Sequence, residues 1–198
     1  MNRQTESMTG GAAGAGTNKG ARALMALLGA TLLLSLGGCM VSETRPLPKI
    51  HPVQPTTAIP QAELLDVGIH IFDPGLPEGL EDSEAAQVKA RIFPDVRKAE
   101  ARYFATRLRD TMEGSGQWGA VRVIPVNAEF VDLIISGRIL RSDGKYLELE
   151  ISAEDSTGRT WLKGKRYEAE ADIGSYMSDA ALRQRDPFQN IFSIIAND

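Results

Sequence analysis

Apolar and polar positions follow three different periods along these 198 residues, and each period predicts its own kind of element. From Ala23 to Leu36 the chain is almost continuously apolar. Alternation begins at Asp66, where Val67, Ile69 and Ile71 are set against Asp66, Gly68 and His70. Leu64 to Phe72 therefore predicts a half-buried strand, closed by the breakers Asp73-Pro74-Gly75. Helical spacing takes over from Asp95 to Met112, with Val96, Ala99, Tyr103 (with Phe104), Leu108 and Met112 as the apolar stripe. Arg97, Lys98, Arg102, Arg107 and Arg109 fall mainly off it. Pro94 and the first-turn Asp95 suit a helix start, and Gly114-Ser115-Gly116 ends it.

Four more strands follow. Trp118 to Pro125 alternates through Val121 and Val123. Asp132 to Leu140 is largely apolar, as a strand in mid-sheet is. Tyr146 to Ala153 sets Leu147, Leu149 and Ile151 against Glu148, Glu150 and Ser152. Trp161 to Ala169 is polar enough for an edge, where Lys163, Lys165 and Arg166 discourage pairing with other chains. Ser142-Asp143-Gly144-Lys145 and Asp155-Ser156-Thr157-Gly158 read as the turns between them. After a weakly helical or irregular link (169–186), Phe188, Ile191, Phe192 and Ile195 fall on one face of a short helix. The pattern predicts an α+β fold: a mainly antiparallel sheet of about five strands, one main helix packed on one face, and a short C-terminal helix. Residues 63–198 form its single domain, 39–62 a Pro-rich tether and 1–38 a leader.

The leader places Arg3, Lys19 and Arg22 ahead of the apolar run. That run is too short to span a bilayer, which takes about 20 residues. It closes on Leu36-Gly37-Gly38-Cys39, and Cys39 is the only cysteine. This arrangement resembles a bacterial lipoprotein signal. The resemblance implies cleavage after Gly38, with Leu36, Gly37 and Gly38 read by the peptidase and Cys39 lipidated as the new N-terminus. Two or more acyl chains anchor a protein stably, at roughly 0.8 kcal/mol per buried methylene. Met40, where an Asp often marks inner-membrane retention, favours the outer membrane, periplasmic face. With Cys39 acylated no disulfide can form within the chain, so the fold must rest on its apolar core.

Pro46, Pro48, Pro52, Pro55 and Pro60 break any helix between Met40 and Pro60. Extended polyproline II at about 3.1 Å per residue would give this stretch a reach of roughly 60 Å. It reads as a passive spacer, although Pro52-Val53-Gln54-Pro55 formally fits a PxxP docking motif.

Charge and chemistry narrow the function. The leader holds three basic residues and one acid (Glu6), which leaves 19 basic and 25 acidic residues, a net charge of −6. That balance argues against nucleic acid or anionic headgroups as partners. Of the two histidines, His51 lies in the tether and His70 in the first strand. One cysteine and two distant histidines make no metal cluster. No Gly-x-Ser-x-Gly elbow and no phosphate-cradling glycine loop occur. Glu78, Glu81, Asp82 and Glu84 lack calcium-loop spacing and read as a solvated loop. Arg97, Glu100, Arg102 and Arg107 read as helix-surface ion pairs. No catalytic residue, cofactor or metal ligand is predicted.

Val67 to Tyr167 resembles the periplasmic domain shared by the curli-secretion lipoprotein, the lipoprotein activators of penicillin-binding proteins and the N-terminal domain of the Tol-system propeller protein. The likeness rests on the strand ending near Phe72, the helix around Tyr103–Met112, and Asp132-Leu133-Ile134-Ile135-Ser136-Gly137. A hairpin into Ala153-Glu154-Asp155-Ser156-Thr157-Gly158 completes it. It implies a non-enzymatic, lipid-anchored interaction or assembly module with a periplasmic protein partner, and no catalytic residues. The membrane-inserting segments of the curli pore are missing. Two other readings stay open: an envelope hydrolase with an unrecognised site, and a structural lipoprotein without a discrete partner.

Overall fold

Strands β3 (Leu133–Ser142), β4 (Tyr146–Asp155) and β5 (Thr160–Glu170) make two successive antiparallel hairpins. An aspartate builds each turn. Asp143 Oδ1 accepts from the Lys145 and Tyr146 amides at 3.0 and 2.8 Å, and Asp155 Oδ1 from the Thr157 and Arg159 amides at 3.0 and 3.1 Å. Gly144 and Gly158 both take φ +82°, which a side chain would oppose. Leu147, Leu149 and Ile151 are fully buried, and the alternate residues Glu148 and Glu150 turn to the other face.

The structure, a computed structural model, describes residues 47–128, 130–172 and 186–198, all within the compact unit Thr44–Asp198. The expected link at 169–186 therefore falls mostly outside the described residues. The sheet runs in the order β2-β1-β3-β4-β5, where β1 is Val67–His70 and β2 is Val121–Ile124. β1 pairs in parallel with both β2 and β3. The sheet is thus mixed rather than mainly antiparallel. The physical reason lies in the β2–β3 connection, residues 125–132. Parallel neighbours are usually joined by a dozen or more residues, so a link this short reads as a turn in a meander. Here it crosses β1 instead. Ile124 Cδ1 and Val131 Cγ2 stand 2.3 and 2.9 Å from where a Cβ on Gly68 would be, and the missing side chain lets the crossing lie against the strand.

Three helices complete the fold: α1 (Glu84–Ala90), α2 (Pro94–Glu113) and α3 (Gln189–Asn197). α1 begins at the Ser83 cap, whose Oγ accepts from the Ala86 amide at 3.3 Å. Its apolar content is too thin to show in the sequence pattern, and none of its residues is buried. α2 buries Ala101, Phe104, Ala105, Leu108 and Met112 in the same cluster as Val67, Ile69, Ile135 and Ile139 of the sheet. From α3, Ile191, Phe192 and Ile195 join that cluster. Phe72 fills the notch left by Gly137: a Cβ there would stand 2.6 Å from the ring.

The expected stripe on α2 is displaced at its N-terminal half. Val96 and Tyr103 are 55% and 48% exposed, whereas Arg97 is buried. The guanidinium of Arg97 donates to the Ser142 carbonyl at 3.3 Å and pairs with Glu100 at 3.6 Å. Glu100 in turn accepts from the Ser142 hydroxyl at 2.7 Å. Burial pulls the Arg97 guanidinium below its ordinary range, opposed by the charges of Glu100 and Asp143. A polar tie to the hairpin has taken the inward position that hydrophobicity would assign to Val96.

The second half of the tether is not a free spacer. The amides of Leu47, Ile50 and Val53 donate to Asp172 Oδ1, Asn190 Oδ1 and Asn197 Oδ1 at 3.2, 3.0 and 2.7 Å. Asn190 Nδ2 and Asn197 Nδ2 return bonds to the Pro48 and His51 carbonyls at 2.9 and 3.2 Å. Gln117 adds a bond to the Val53 carbonyl. Each asparagine amide thus grips the backbone at both its donor and its acceptor. The spacing explains the fit: three residues of polyproline II advance about 9 Å, and seven residues of helix about 10.5 Å. Asn190 and Asn197, two turns apart on α3, meet every third residue of the strap.

Candidate functional site

Helices α2 and α3 share one core with the sheet, built on the face of Val67, Ile69 and Leu149. The opposite face of the sheet carries the arrangement with most chemical content. An open hollow of about 710 Å³ lies there, lined among others by Ile134, Ser136, Ser152, Glu154, Thr160 and Lys163. The register builds it: Ser136 pairs with Ser152, Ile134 with Glu154, and Glu154 with Thr160. The crossover on this face carries two exposed apolar side chains, Val126 at 69% and Phe130 at 100%.

His70 ties the crossover to the hollow. Its Nε2 lies 3.4 Å from the Ala128 carbonyl, which can only accept, so that nitrogen holds the proton. Nδ1 is then the acceptor for the Ser136 hydroxyl at 3.2 Å. A serine beside a histidine is also the first half of a nucleophile and base. The third partner, however, is a main-chain carbonyl rather than a carboxylate. The sequence marks His70 as a strand histidine but not its contact with Ser136, because only the register Gly68↔Ile134 and Ile69↔Ile135 brings positions 70 and 136 side by side.

The other residues considered from the sequence take structural places. Leu36, Gly37, Gly38 and Cys39 lie outside the described residues. Ser115 is buried and donates to the Met112 carbonyl at 2.6 Å, closing α2. Glu81 pairs with Lys98 at 2.5 Å. Arg107 pairs with Asp110 at 3.7 Å and with the buried Asp186 at the same distance. Asp186 accepts from the Tyr103 hydroxyl at 2.6 Å and from the Phe188 amide at 2.6 Å, fixing the entry to α3 on α2. Desolvation of its hydroxyl end, then the bond to Asp186, pushes the Tyr103 phenol up to about 12. Asp155 is held down to about 2, first by the Thr157 hydroxyl and next by the Trp161 indole at 2.9 Å. Among the described residues no group of three His, Cys, Asp or Glu could hold a metal ion, and no helix is long and apolar enough to cross a membrane.

No protein-family model matches the sequence, and no curated protein does. Solved structures with some similarity of fold include protein XCC0632 of Xanthomonas campestris, described with the family DUF330. It shares 15% identity with a TM-score of 0.41, over 77% of this chain and 88% of that one. The hypothetical protein CT253 of Chlamydia trachomatis shares 8% identity with a TM-score of 0.34, over 66% and 88% of the two chains. The lipoprotein GNA1162 of Neisseria meningitidis shares 13% with a TM-score of 0.25, over 60% and 88%.

Proposed function

We propose that this protein is a lipid-anchored interaction module of the bacterial envelope, attached through Cys39 to the periplasmic face of the outer membrane. Its open sheet face would receive a protein partner. The observation that carries this reading is that sheet face. Helices cover one side of the sheet, while the other keeps Phe130 and Val126 in solvent beside a trough bordered by hydroxyls and carboxylates. A trough this open suits the surface of a protein better than a small molecule, which binds where most of its area is enclosed. Exposed aromatic side chains are the usual anchors of such contacts. Kinship with the periplasmic domain of the curli-secretion, penicillin-binding-protein-activator and Tol propeller group belongs to the same proposal, and rests on the residues quoted for it above.

The test joins both halves. Cys39→Ser should release the protein from membranes into the soluble periplasmic fraction. A photo-crosslinking residue at Phe130 or Ile134 should capture a discrete envelope protein that the same residue at Lys98, on α2, does not. Retention of Cys39→Ser in the membrane overturns the anchor. Equal capture from both faces overturns the surface. The rival reading, an envelope hydrolase, has the bond between Ser136 and His70 in its favour. Loss of an ester- or amide-cleaving activity in Ser136→Ala, with the fold intact, would establish that reading instead.

A further inference from the structure

The strap enters the domain at one particular end. Leu47 is bonded to Asp172, and the neighbouring Ala171 amide donates to the Lys145 carbonyl at 2.8 Å, in the β3–β4 turn. The first turns of α2 reach that same turn, since Arg97 and Glu100 both bond Ser142. Leu47 and the N-terminus of α2 therefore share one end of the domain. That end displays three of the apolar residues that the core does not use: Phe93 at 48% exposure, Val96 at 55%, and Val88 of α1 at 59%. Phe93 and Val96 lie three residues apart and so on one side of the helix start. Of the cations nearby, Lys98, Arg141 and Lys145 each pair with an acid, Glu81, Asp143 and Glu170, whereas Lys89 and Arg91, between Val88 and Phe93, are exposed.

Leu47 stands eight positions after Cys39 in the sequence. Fully extended, this stretch reaches at most about 29 Å, and as polyproline II about 25 Å. Because the strap is docked, the leash is less than half the length that a free tether to Pro60 would give. We infer that the α1–α2 end of the domain rests on the lipid surface, with Phe93, Val96 and Val88 buried among headgroups and upper acyl chains. This rests on the lipid anchor proposed above. Apolar burial is the main driving force: the chain is acidic, and Lys89 and Arg91 add only a screened attraction to anionic headgroups, so raised salt weakens the contact without abolishing it. The open sheet face and the β4–β5 turn are then left to the periplasm.

The test uses the full-length protein, processed in a bacterial host and reconstituted in phosphatidylethanolamine–phosphatidylglycerol vesicles that contain doxyl-labelled lipid. A fluorophore is placed at Val96→Cys, or at Ser156→Cys in the β4–β5 turn. Both positions are exposed, and they lie on the order of 30 Å apart along β4. Acylation of Cys39 leaves the new cysteine as the reactive thiol. The label at 96 should be quenched at least about twofold more than the label at 156, as expected for a group 5–10 Å inside the headgroup boundary. Addition of 0.5 M salt, an amount chosen to screen surface charge to about 4 Å, should not reverse that difference. Equal quenching at the two positions, with the protein floating on the vesicles, overturns the orientation while the anchor stands. Protein that does not float with vesicles overturns the anchor first, and the orientation with it.

Discussion

Gly137 faces the helices from the middle of β3, and the Phe72 ring fills the space where its side chain would be. A methyl group there must move a buried aromatic ring in a packed core, and overpacking of this kind costs about 1–3 kcal/mol. Gly137→Ala should lower the unfolding free energy by that amount, read as a lower urea midpoint with the denaturant slope unchanged, which equilibrium unfolding followed by tryptophan fluorescence would measure. Asp155 makes a prediction of opposite character. Its carboxyl is held to about 2 in the folded chain, below its ordinary 3.8. A depressed carboxylate contributes stability that is present above pH 4 and is lost as pH falls through 2. The Asp155→Asn protein should accordingly show a flatter loss of stability between pH 4 and pH 2 than the natural chain. Identical acid profiles would show that the turn takes nothing from the charge.

At the scale of elements, the hairpins were legible in the sequence because their signals are local. Asp-Gly and Asp-Ser-Thr-Gly mark the turns, and a period of two marks β4. β3 was recognisable as a central strand by its apolar run. The placement of β1 was not, because pairing with residues 54 and 66 positions away leaves no trace in periodicity. The inner face of α2 was misread at Val96 because Arg97, tied to a hairpin carbonyl, reads in sequence as a surface cation. The contact between Ser136 and His70 was invisible for the same non-local reason as the seat of β1. The strap is the clearest case: prolines announce an extended chain, but nothing in 47–53 announces that Asn190 and Asn197 will hold it. Four bonds from two side chains, at about 0.5–1.5 kcal/mol each, make this a device that can be removed without unfolding the core. Asn190→Ala with Asn197→Ala in the full chain should speed tryptic cleavage after Lys49 by about tenfold or more, while the thermal midpoint moves little. Unchanged cleavage would mean that the strap is held by other contacts.

The whole molecule divides its apolar surface among three uses. One face of the sheet with α2 and α3 forms the core. The opposite face leaves Phe130 in solvent, where we propose that a partner docks, and the α1–α2 end leaves Phe93 and Val96 exposed, where we propose that lipid does. The seat of β1 between two parallel neighbours has a further consequence, in time rather than in space. Both partners of β1 are made after it, and β3 comes last. In a chain that emerges N-terminus first, the β3–β4–β5 hairpins can close over short loops, whereas β1 must wait for position 121 to pair on one side and for position 133 to pair on the other. Loop closure thus predicts that the pairings of the first strand, 54 and 66 positions long, form after those of the hairpins.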